Sequence, residues 1–274
     1  MISAAARTDA AADSKPRTRD YISFSALSTY RSCPLRYYFT YVVGLPERTV
    51  SSSLVFGCAI HRGIEHFFNE LMSGGEPPST ETLLGEYDRR WLEVEHTDVR
   101  FGKSEDRESL NALARRMFAA FQTSEFAQPT GRILGVEEEL RTTIIPGCPD
   151  LLGRLDLIVE TDDAIVVTDL KTSRSRWSTT HADVASEQLL LYHELVKAFS
   201  PNKRVRLQFA VLTKSKKPTL DLLEVPVNRH LIERTKRIVE EVWKSIEARR
   251  FFPAPSQMAC AGCAFKMPCR KWPG

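Results

Sequence analysis

The sequence has 274 residues and a mass of 31.1 kDa, with 42% hydrophobic and 27% charged residues. These values are typical of a globular protein that is large enough to bury a full core. No apolar run approaches the roughly 18 to 20 residues that cross a bilayer as a helix, so no membrane-spanning helix is expected. A net charge of +3 and a pI near 8.5 are compatible with nucleic-acid binding but do not require it.

The first residues are rich in alanine and charged side chains and contain no apolar signal core. We therefore expect a disordered leader over residues 1–19 and a cytoplasmic protein. The rest of the chain is expected to form a single domain. Its three parts are a helical part over 20–128, a sheet core over 129–250 and a cysteine-rich tail over 251–274.

Apolar residues recur at helical spacing in four segments of the helical part. The first helix is expected to begin with Ser25 as its N-cap and to continue through Tyr37. The other three are expected at about 54–72, 80–95 and 105–124.

A short stretch of the same part, Gly102-Lys103-Ser104, has the ending of a phosphate-binding loop. Thr97 stands where that motif requires its first glycine, and no convincing strand precedes it. We reject nucleotide binding there. The chain is therefore expected to contain no nucleotide-driven motor of its own.

The sheet core is rich in valine and isoleucine in short segments separated by turn residues. Strands are expected at 133–145, 151–160, 164–171, 205–214 and 219–227. Helices are expected at about 183–199, with Asp183 as a candidate cap, and at 231–250. This alternation predicts an α/β fold in which helices flank a mixed sheet.

Two aspartates and a lysine in this core are the strongest functional signal. Asp169 and Lys171 end a Val- and Ile-rich run and, being two residues apart in a strand, share one side of the sheet. The preceding strand returns through a turn at 161–163, which brings Asp156 close to them. Two carboxylates beside a lysine suit Mg²⁺ or Mn²⁺, although an isolated Asp-x-Lys is far more often a surface salt bridge.

The wider context resembles the PD-(D/E)xK nuclease superfamily, in particular its RecB/AddB-like branch and the CRISPR-associated RecB-like exonucleases. In that branch a Gly-x-x-Asp-x-Ile strand precedes an Asp-x-Lys-Thr strand, as in Gly153–Ile158 and Asp169–Thr172. A helix with Gln-x-x-x-Tyr follows, found here as Gln188 and Tyr192. A Gly-x-x-x-His segment lies upstream, found here as Gly57–His61. Four motifs in the correct order make the resemblance specific, and it runs from about residue 20 to residue 270.

The resemblance implies a three-layer α/β/α, restriction-endonuclease-like core and the hydrolysis of phosphodiester bonds with a divalent metal. It implies metal ligands at His61, Asp156, Asp169 and the backbone carbonyl of Leu170. Lys171 would position the nucleophile, and Gln188 and Tyr192 would line the active site. Glu137 matches a family position loosely, but it is one of three consecutive glutamates and its register stays open.

The cysteines suggest a second cofactor. Cys260, Cys263 and Cys269 lie within ten residues, and Cys33 is the candidate for a fourth ligand. Four thiolates bind either zinc or a 4Fe-4S cluster, and spacing alone does not choose between them. The resemblance favours 4Fe-4S, held by one N-terminal cysteine and a C-terminal trio. Cys58 and Cys148 are expected to be free thiols.

The expected activity is that of a DNA exonuclease or endonuclease on single strands or duplex ends, in repair or recombination, with a separate helicase as a partner. Candidate DNA contacts are Lys214, Lys216, Lys217 and Trp177, although Trp177 is equally suited to packing. The alternatives are a non-catalytic DNA-binding scaffold of the same fold and a CRISPR adaptation nuclease.

Overall fold

The computed structural model describes residues 19–273. The leader expected at 1–19 therefore lies, except for its last residue, outside the described residues. Within the described part, no helix combines the length and the apolar character that spanning a membrane requires.

The chain alternates between helices and strands after a mainly helical first half. The helices are α1 Phe24–Ser32, α2 Pro34–Tyr37, α3 Ser52–Met72, α4 Thr80–Leu92, α5 Arg107–Gln122, α6 Thr179–Ala185, α7 Glu187–Phe199, α8 Arg229–Glu247, α9 Gln257–Ala261 and α10 Lys266–Arg270. The strands are β1 Tyr21–Ser23, β2 Thr49–Ser51, β3 Asp98–Arg100, β4 Arg132–Thr142, β5 Asp150–Glu160, β6 Ala164–Ser173, β7 Arg204–Thr213 and β8 Leu220–Val225.

Several boundaries differ from the sequence-based expectations. The first helix is capped by the side chain of Ser23, not Ser25, because the chain enters it from a short strand and Ser23 keeps the extended backbone of an N-cap. The helix expected at 183–199 is two helices that meet at Ser186, and Asp183 lies inside the first of them. The cysteine-rich tail, for which no helix was expected, contains the two short helices α9 and α10.

The main sheet has six strands in the order β1-β5-β6-β7-β8, and β4 pairs with the other edge of β5. The pairs β1–β5 and β6–β7 are parallel, whereas β4–β5, β5–β6 and β7–β8 are antiparallel. The mixed sheet expected from the sequence is therefore confirmed. Strands β2 and β3 form a separate parallel pair.

Each face of the sheet carries a layer of helices over its own hydrophobic core. Helices α1, α7 and α8 cover one face, where Tyr30, Leu195 and Val239 are buried. Helices α3, α4 and α5 cover the opposite face, where Phe67 and Phe118 are buried. This arrangement confirms the three-layer α/β/α fold.

The sheet forks between β5 and β6. Their ladder of paired residues ends at Leu157 and Thr168, and beyond this point β5 pairs with β1 instead. Asp156 and Asp169 are the next residue on each strand after the ladder ends. The backbone N–H of Leu170 donates to Asp156 Oδ2 at 2.6 Å, so a carboxylate satisfies a group that the ladder leaves unpaired.

The alternation of side chains along β5 breaks at the same place. Leu155 packs in the core under α7, whereas Leu157, two residues later, packs in the core under α3. Residues two apart in a regular strand share a side, so the strand bends locally at Asp156. The bend and the fork together leave a gap in the sheet at this position.

Gly153, four residues before Leu157, lets α7 approach β5 closely. A Cβ at this position would lie 2.5 Å from Leu195 Cδ1 and 2.8 Å from the ring of Tyr192. We expect Gly153→Ala to lower the free energy of unfolding by about 1 to 3 kcal/mol because of this overpacking. Urea denaturation measures it, with Gly85→Ala in α4 as the control, since a Cβ at Gly85 meets nothing within 4 Å. Equal stability of the two variants would contradict the close approach.

Candidate active site

A cleft of about 1200 Å³ opens at the fork of the sheet. Helix α3 forms one wall, and the bent part of β5 and the end of β6 form its floor. Helix α4 adds Glu86 and Arg90 at one end, and Lys214 lies at the end of β7. Five of the residues named as candidates from the sequence line this cleft: His61, Asp156, Leu170, Lys171 and Lys214.

Three side chains in the cleft converge on a common point. One ligand atom each from His61, Glu137 and Asp156 lies within 4.8 Å of the other two. The Nδ1 atom of His61 is 3.7 Å from Asp156 Oδ2. A histidine nitrogen with two carboxylate oxygens is a donor set that divalent metals accept.

Glu137 is the member of this group whose role the sequence left open. The pairing of Val136 with Leu157 and of Glu138 with Leu155 puts Glu137 opposite Asp156. Glu137 has φ = 49°, a left-handed conformation that is rare for a residue with a side chain. Such strain persists only where the surroundings enforce it, and here it accompanies a carboxylate that faces the cleft. Only the strand register could have singled out Glu137 among its neighbours.

Asp169 and Lys171 lie on the same side of the sheet, as their spacing predicts, and this side faces α7. Lys171 Nζ is 2.7 Å from Asp169 Oδ2, so the lysine forms an ion pair with this buried carboxylate. Lys171 Nζ also donates to Gln188 Oε1 at 3.1 Å. Gln188 Nε2 donates to the hydroxyl of Tyr192 at 2.7 Å, so the buried tyrosine fixes the amide that receives the lysine.

Two carboxyl groups at the fork, those of Asp156 and Glu137, have raised pKa values. Burial, and then the charge of Asp169, raises the pKa of Asp156 to about 7. Burial, and then the charge of Asp156, raises the pKa of Glu137 to about 7. Burial lowers the pKa of His61, which favours the neutral imidazole that binds metals. The site thus concentrates negative charge that a cation would compensate.

A metal-binding test follows from these pKa shifts. The folded state keeps protons on Asp156 and Glu137 up to about pH 7, whereas the unfolded chain loses them near their ordinary values of 3.8 and 4.5. Stability of the metal-free protein should therefore fall as pH rises from about 4 to 7. Mg²⁺ must displace these protons, so it should raise Tm by about 5 to 10 °C at pH 8 and hardly at all at pH 5.

Thermal melts with Mg²⁺ or EDTA across this pH range measure the effect. Asp156→Asn is the matched variant, because it keeps the side-chain volume and removes one charge. It should melt higher than the wild type in EDTA at pH 8 and should gain little from Mg²⁺. A Mg²⁺ effect that is independent of pH, or equal in the two proteins, would contradict metal binding at this group.

The four cysteines proposed as cluster ligands come from both ends of the described chain and meet away from the cleft. Cys33, Cys263 and Cys269 pack against a small core of Leu35 and two phenylalanines. Burial, and then the neighbouring thiols of Cys33, Cys263 and Cys260, raises the pKa of Cys269. Within residues 19–273, no three of these sulfur atoms lie within 4.8 Å of one another. Cys58 lines the cleft, and Cys148 packs against the α1/α7/α8 core.

The candidate DNA contacts are in three different settings. Lys214 lines the cleft, whereas Lys216 and Lys217 are exposed on the β7–β8 hairpin outside it. The ring of Trp177 stacks on His181 with centroids 4.3 Å apart and packs edge-on against Phe209. Trp177 Nε1 also donates to Ser173. The contacts of Trp177 are therefore those of a side chain that packs within the protein.

The fold and the site define an α/β protein with carboxylates, a histidine and a lysine around one cleft at the fork of a mixed sheet. A family model of the PD-(D/E)XK nuclease superfamily matches residues 21–270. The chain belongs to this superfamily. It is accordingly a nuclease, that is, a hydrolase that acts on nucleic acid.

Comparison with solved structures supports the fold. A protein from Eubacterium rectale, described as a "putative exonuclease", superposes with a TM-score of 0.59 at 14% identity, over 92% of this chain and 88% of that chain. The protein SSO0001 aligns over 89% of this chain and 94% of its own at 16% identity, with a TM-score of 0.35, which is too low to carry an argument. No curated protein matches the sequence.

Proposed function

We propose that this chain is a metal-dependent deoxyribonuclease that hydrolyses phosphodiester bonds of single strands or DNA ends with Mg²⁺ or Mn²⁺, as an exonuclease or an endonuclease. One observation carries the proposal. The ligand atoms of His61, Glu137 and Asp156 lie within 4.8 Å of one another in the cleft, and burial raises the pKa of both carboxyl groups. Two buried carboxylates that face each other are costly unless a cation compensates them, and a histidine nitrogen with two carboxylate oxygens fits a divalent metal.

The residues that would hold the metal are His61, Glu137, Asp156 and Asp169, with the backbone carbonyl of Leu170. Glu137 joins the set expected from the sequence because its ligand atom lies within 4.8 Å of those of His61 and Asp156. When bound, the ion would lower the pKa of a water and compensate negative charge on the phosphate. The carboxylates at the fork would hold the ion in the cleft whose floor β5 and β6 form.

Lys171 is proposed to orient the attacking water and to stabilise charge that develops on the phosphate. Its ammonium group lies between Asp169 and Gln188, which fixes its direction. Tyr192 acts through Gln188: its hydroxyl accepts from the amide and thereby directs the amide oxygen at the lysine. Gln188 and Tyr192 are therefore positioning residues in this proposal.

We also propose that Cys33, Cys260, Cys263 and Cys269 hold a 4Fe-4S cluster. Cys33, Cys263 and Cys269 share one small core, and burial and the thiols of Cys33, Cys263 and Cys260 raise the pKa of Cys269, which supports a common ligand for the four. Zinc is the alternative ligand. The cluster would join α2 to the tail, next to the contact in which the N–H of Leu35 donates to the carbonyl of Phe252. Its role is to hold the fold together.

The proposal extends to the cellular setting. Residues 20–274 would act as one nuclease domain in DNA repair or recombination, and a separate helicase would supply the unwound strand. A pull-down of the full chain with a helicase, with or without a forked DNA, would test this part.

A cleavage assay tests the enzymatic proposal. End-labelled single-stranded DNA, duplex DNA with overhangs and single-stranded RNA are incubated with the protein and Mg²⁺ or Mn²⁺. We expect cleavage of DNA that EDTA abolishes and that Asp169→Asn lacks. Tight DNA binding without cleavage under any of these conditions would indicate a non-catalytic scaffold and would overturn the proposal.

A further inference from the structure

The cations that line the cleft differ in what they are paired with. Four of the five have a carboxylate within 4 Å: Arg62 with Glu86 and Glu93, Arg90 with Glu93, Arg154 with Glu137 and Glu139, and Lys171 with Asp169. Lys214 has no such partner among the described residues. An ion-paired arginine offers little net charge to a phosphate, whereas an unpaired lysine offers its full charge.

The surroundings of Lys214 hold its ammonium in the cleft. Lys214 Nζ donates to Ser53 Oγ at 3.2 Å and lies 5.3 Å from the centre of the Phe56 ring. The side chain is half-buried, and burial followed by the charge of Arg174 lowers its pKa. Glu105 is near enough to oppose this effect, but its carboxylate already accepts from Ser52 and from the N–H of Gly102. An anion would therefore stabilise this part of the cleft.

Lys214 lies apart from the residues that are proposed to bind the metal and the scissile phosphate. Its partner Ser53 and the histidine His61 are eight residues apart on α3, which corresponds to about 12 Å along the helix axis. The cleft is continuous between these two positions, because Gly57 and Cys58 line it as well. A strand that presents one phosphate to His61 and Asp156 can therefore present a different phosphate to Lys214.

We propose that Lys214 and Ser53 form a subsite that binds a backbone phosphate of the substrate strand other than the scissile one. This inference rests on the proposed function, because it takes the strand through the cleft. The subsite sets the register of the strand: a substrate that reaches from the metal-binding group to Lys214 binds more tightly than one that ends before it. Phosphate contacts of this kind position nucleic acid without reading its sequence.

A methylphosphonate scan of the full-length protein tests the subsite. A series of short fluorescein-labelled single-stranded oligonucleotides each carries one uncharged linkage at a different position. Binding is followed by fluorescence anisotropy with Mg²⁺ in an Asp169→Asn background, in which no cleavage is expected. The variants are Lys214→Gln, Lys214→Arg and Lys244→Gln, the last of which removes the same charge from α8, on the face of the sheet opposite α3.

We expect Lys214→Gln to weaken binding about tenfold and to lower the dependence of log K on log salt by about 0.7. At one position in the series, the uncharged linkage should weaken binding to the protein that keeps Lys214. The same linkage should not weaken binding to Lys214→Gln any further, because the contact is already lost. Lys214→Arg should retain most of the affinity. In Lys244→Gln the effect of each uncharged linkage should be the same as in the protein that keeps Lys244. In the active enzyme Lys214→Gln should raise KM with little change in kcat.

Two outcomes overturn the subsite. One is an unchanged pattern of linkage effects in Lys214→Gln, and the other is an equal loss of affinity in Lys214→Gln and Lys214→Arg, which would make the charge irrelevant. Both are distinct from a failure of the proposed function, which would show as a lack of metal-dependent DNA cleavage by the protein with Asp169 and Lys214 intact.

Discussion

Replacing Asp169 with asparagine is expected to lower kcat/KM for DNA cleavage by about 10³-fold or more. The substitution keeps the volume of a buried side chain, so the fold should be retained. It removes one negative charge from the fork of the sheet and the carboxylate beside Lys171. Metal binding and the orientation of the lysine should therefore suffer together, and the measurement is the initial rate on end-labelled DNA with Mg²⁺.

Asp163→Asn is the matched control for this variant. It makes the same change in the turn at the far end of the same β5–β6 hairpin, where Asp163 accepts from Thr161. Its cleavage rate should stay within about twofold of the wild type, as for surface changes away from a site. A rate for Asp169→Asn that equals the control would show that the fork of the sheet is not the reaction centre.

Lys171→Met distinguishes the two effects that Asp169→Asn combines. It removes the ammonium group and leaves the metal-binding carboxylates in place. We expect cleavage to fall about 10²- to 10³-fold, while the Tm increase on adding Mg²⁺ persists at pH 8. Loss of that Tm increase in Lys171→Met would mean that the lysine supports the metal site itself and not the nucleophile.

The second large effect is expected at the cysteines. Cys33→Ser should abolish the broad absorbance near 400 nm that we expect from anaerobically purified protein and should lower Tm by about 10 °C. Cys33 and Cys260 are about 227 residues apart in sequence, so a group bound by both closes a long loop. Loss of that group would give the unfolded chain back the entropy that closing the loop costs, and this would favour unfolding. Absorbance spectra, iron and sulfide content, and thermal melts measure the outcome.

Cys148→Ala provides the comparison, since this thiol lies against the α1/α7/α8 core and away from the other four. It should keep the absorbance and lose only the stability of a small packed side chain, about 1 kcal/mol. A colourless wild-type protein that contains one zinc per chain would reject the iron-sulfur cluster in favour of zinc. Absorbance that is unchanged in Cys33→Ser would remove Cys33 from the ligand set.

Much of the fold could be predicted from the sequence because its periodicity is strong and local. The long helices α3 and α5 and the strands of the β5–β6 hairpin were expected at nearly their observed positions. The short strands β1, β2 and β3 were not expected, because three residues carry no periodic signal and their pairing partners are distant in sequence. For the same reason the first helix was given the wrong N-cap.

The candidate site divides in a similar way. The sequence by itself determined which residues of one element share a face: Asp169 with Lys171 in a strand, and Gln188 with Tyr192 on a helix. These relations follow from backbone geometry within a few residues, so no tertiary contact is needed to predict them. The contact of Lys171 with Gln188 then joins the two faces in the structure.

Only the tertiary structure decided the rest. Glu137 enters the site through the register of β4 on β5 and a left-handed backbone, neither of which three consecutive glutamates reveal. Lys214 differs from Lys216 and Lys217 on the hairpin because it lines the cleft, where its ammonium donates to Ser53. Both depend on how strands and helices from distant parts of the chain pack, and side-chain charge and burial at a site are set by that packing.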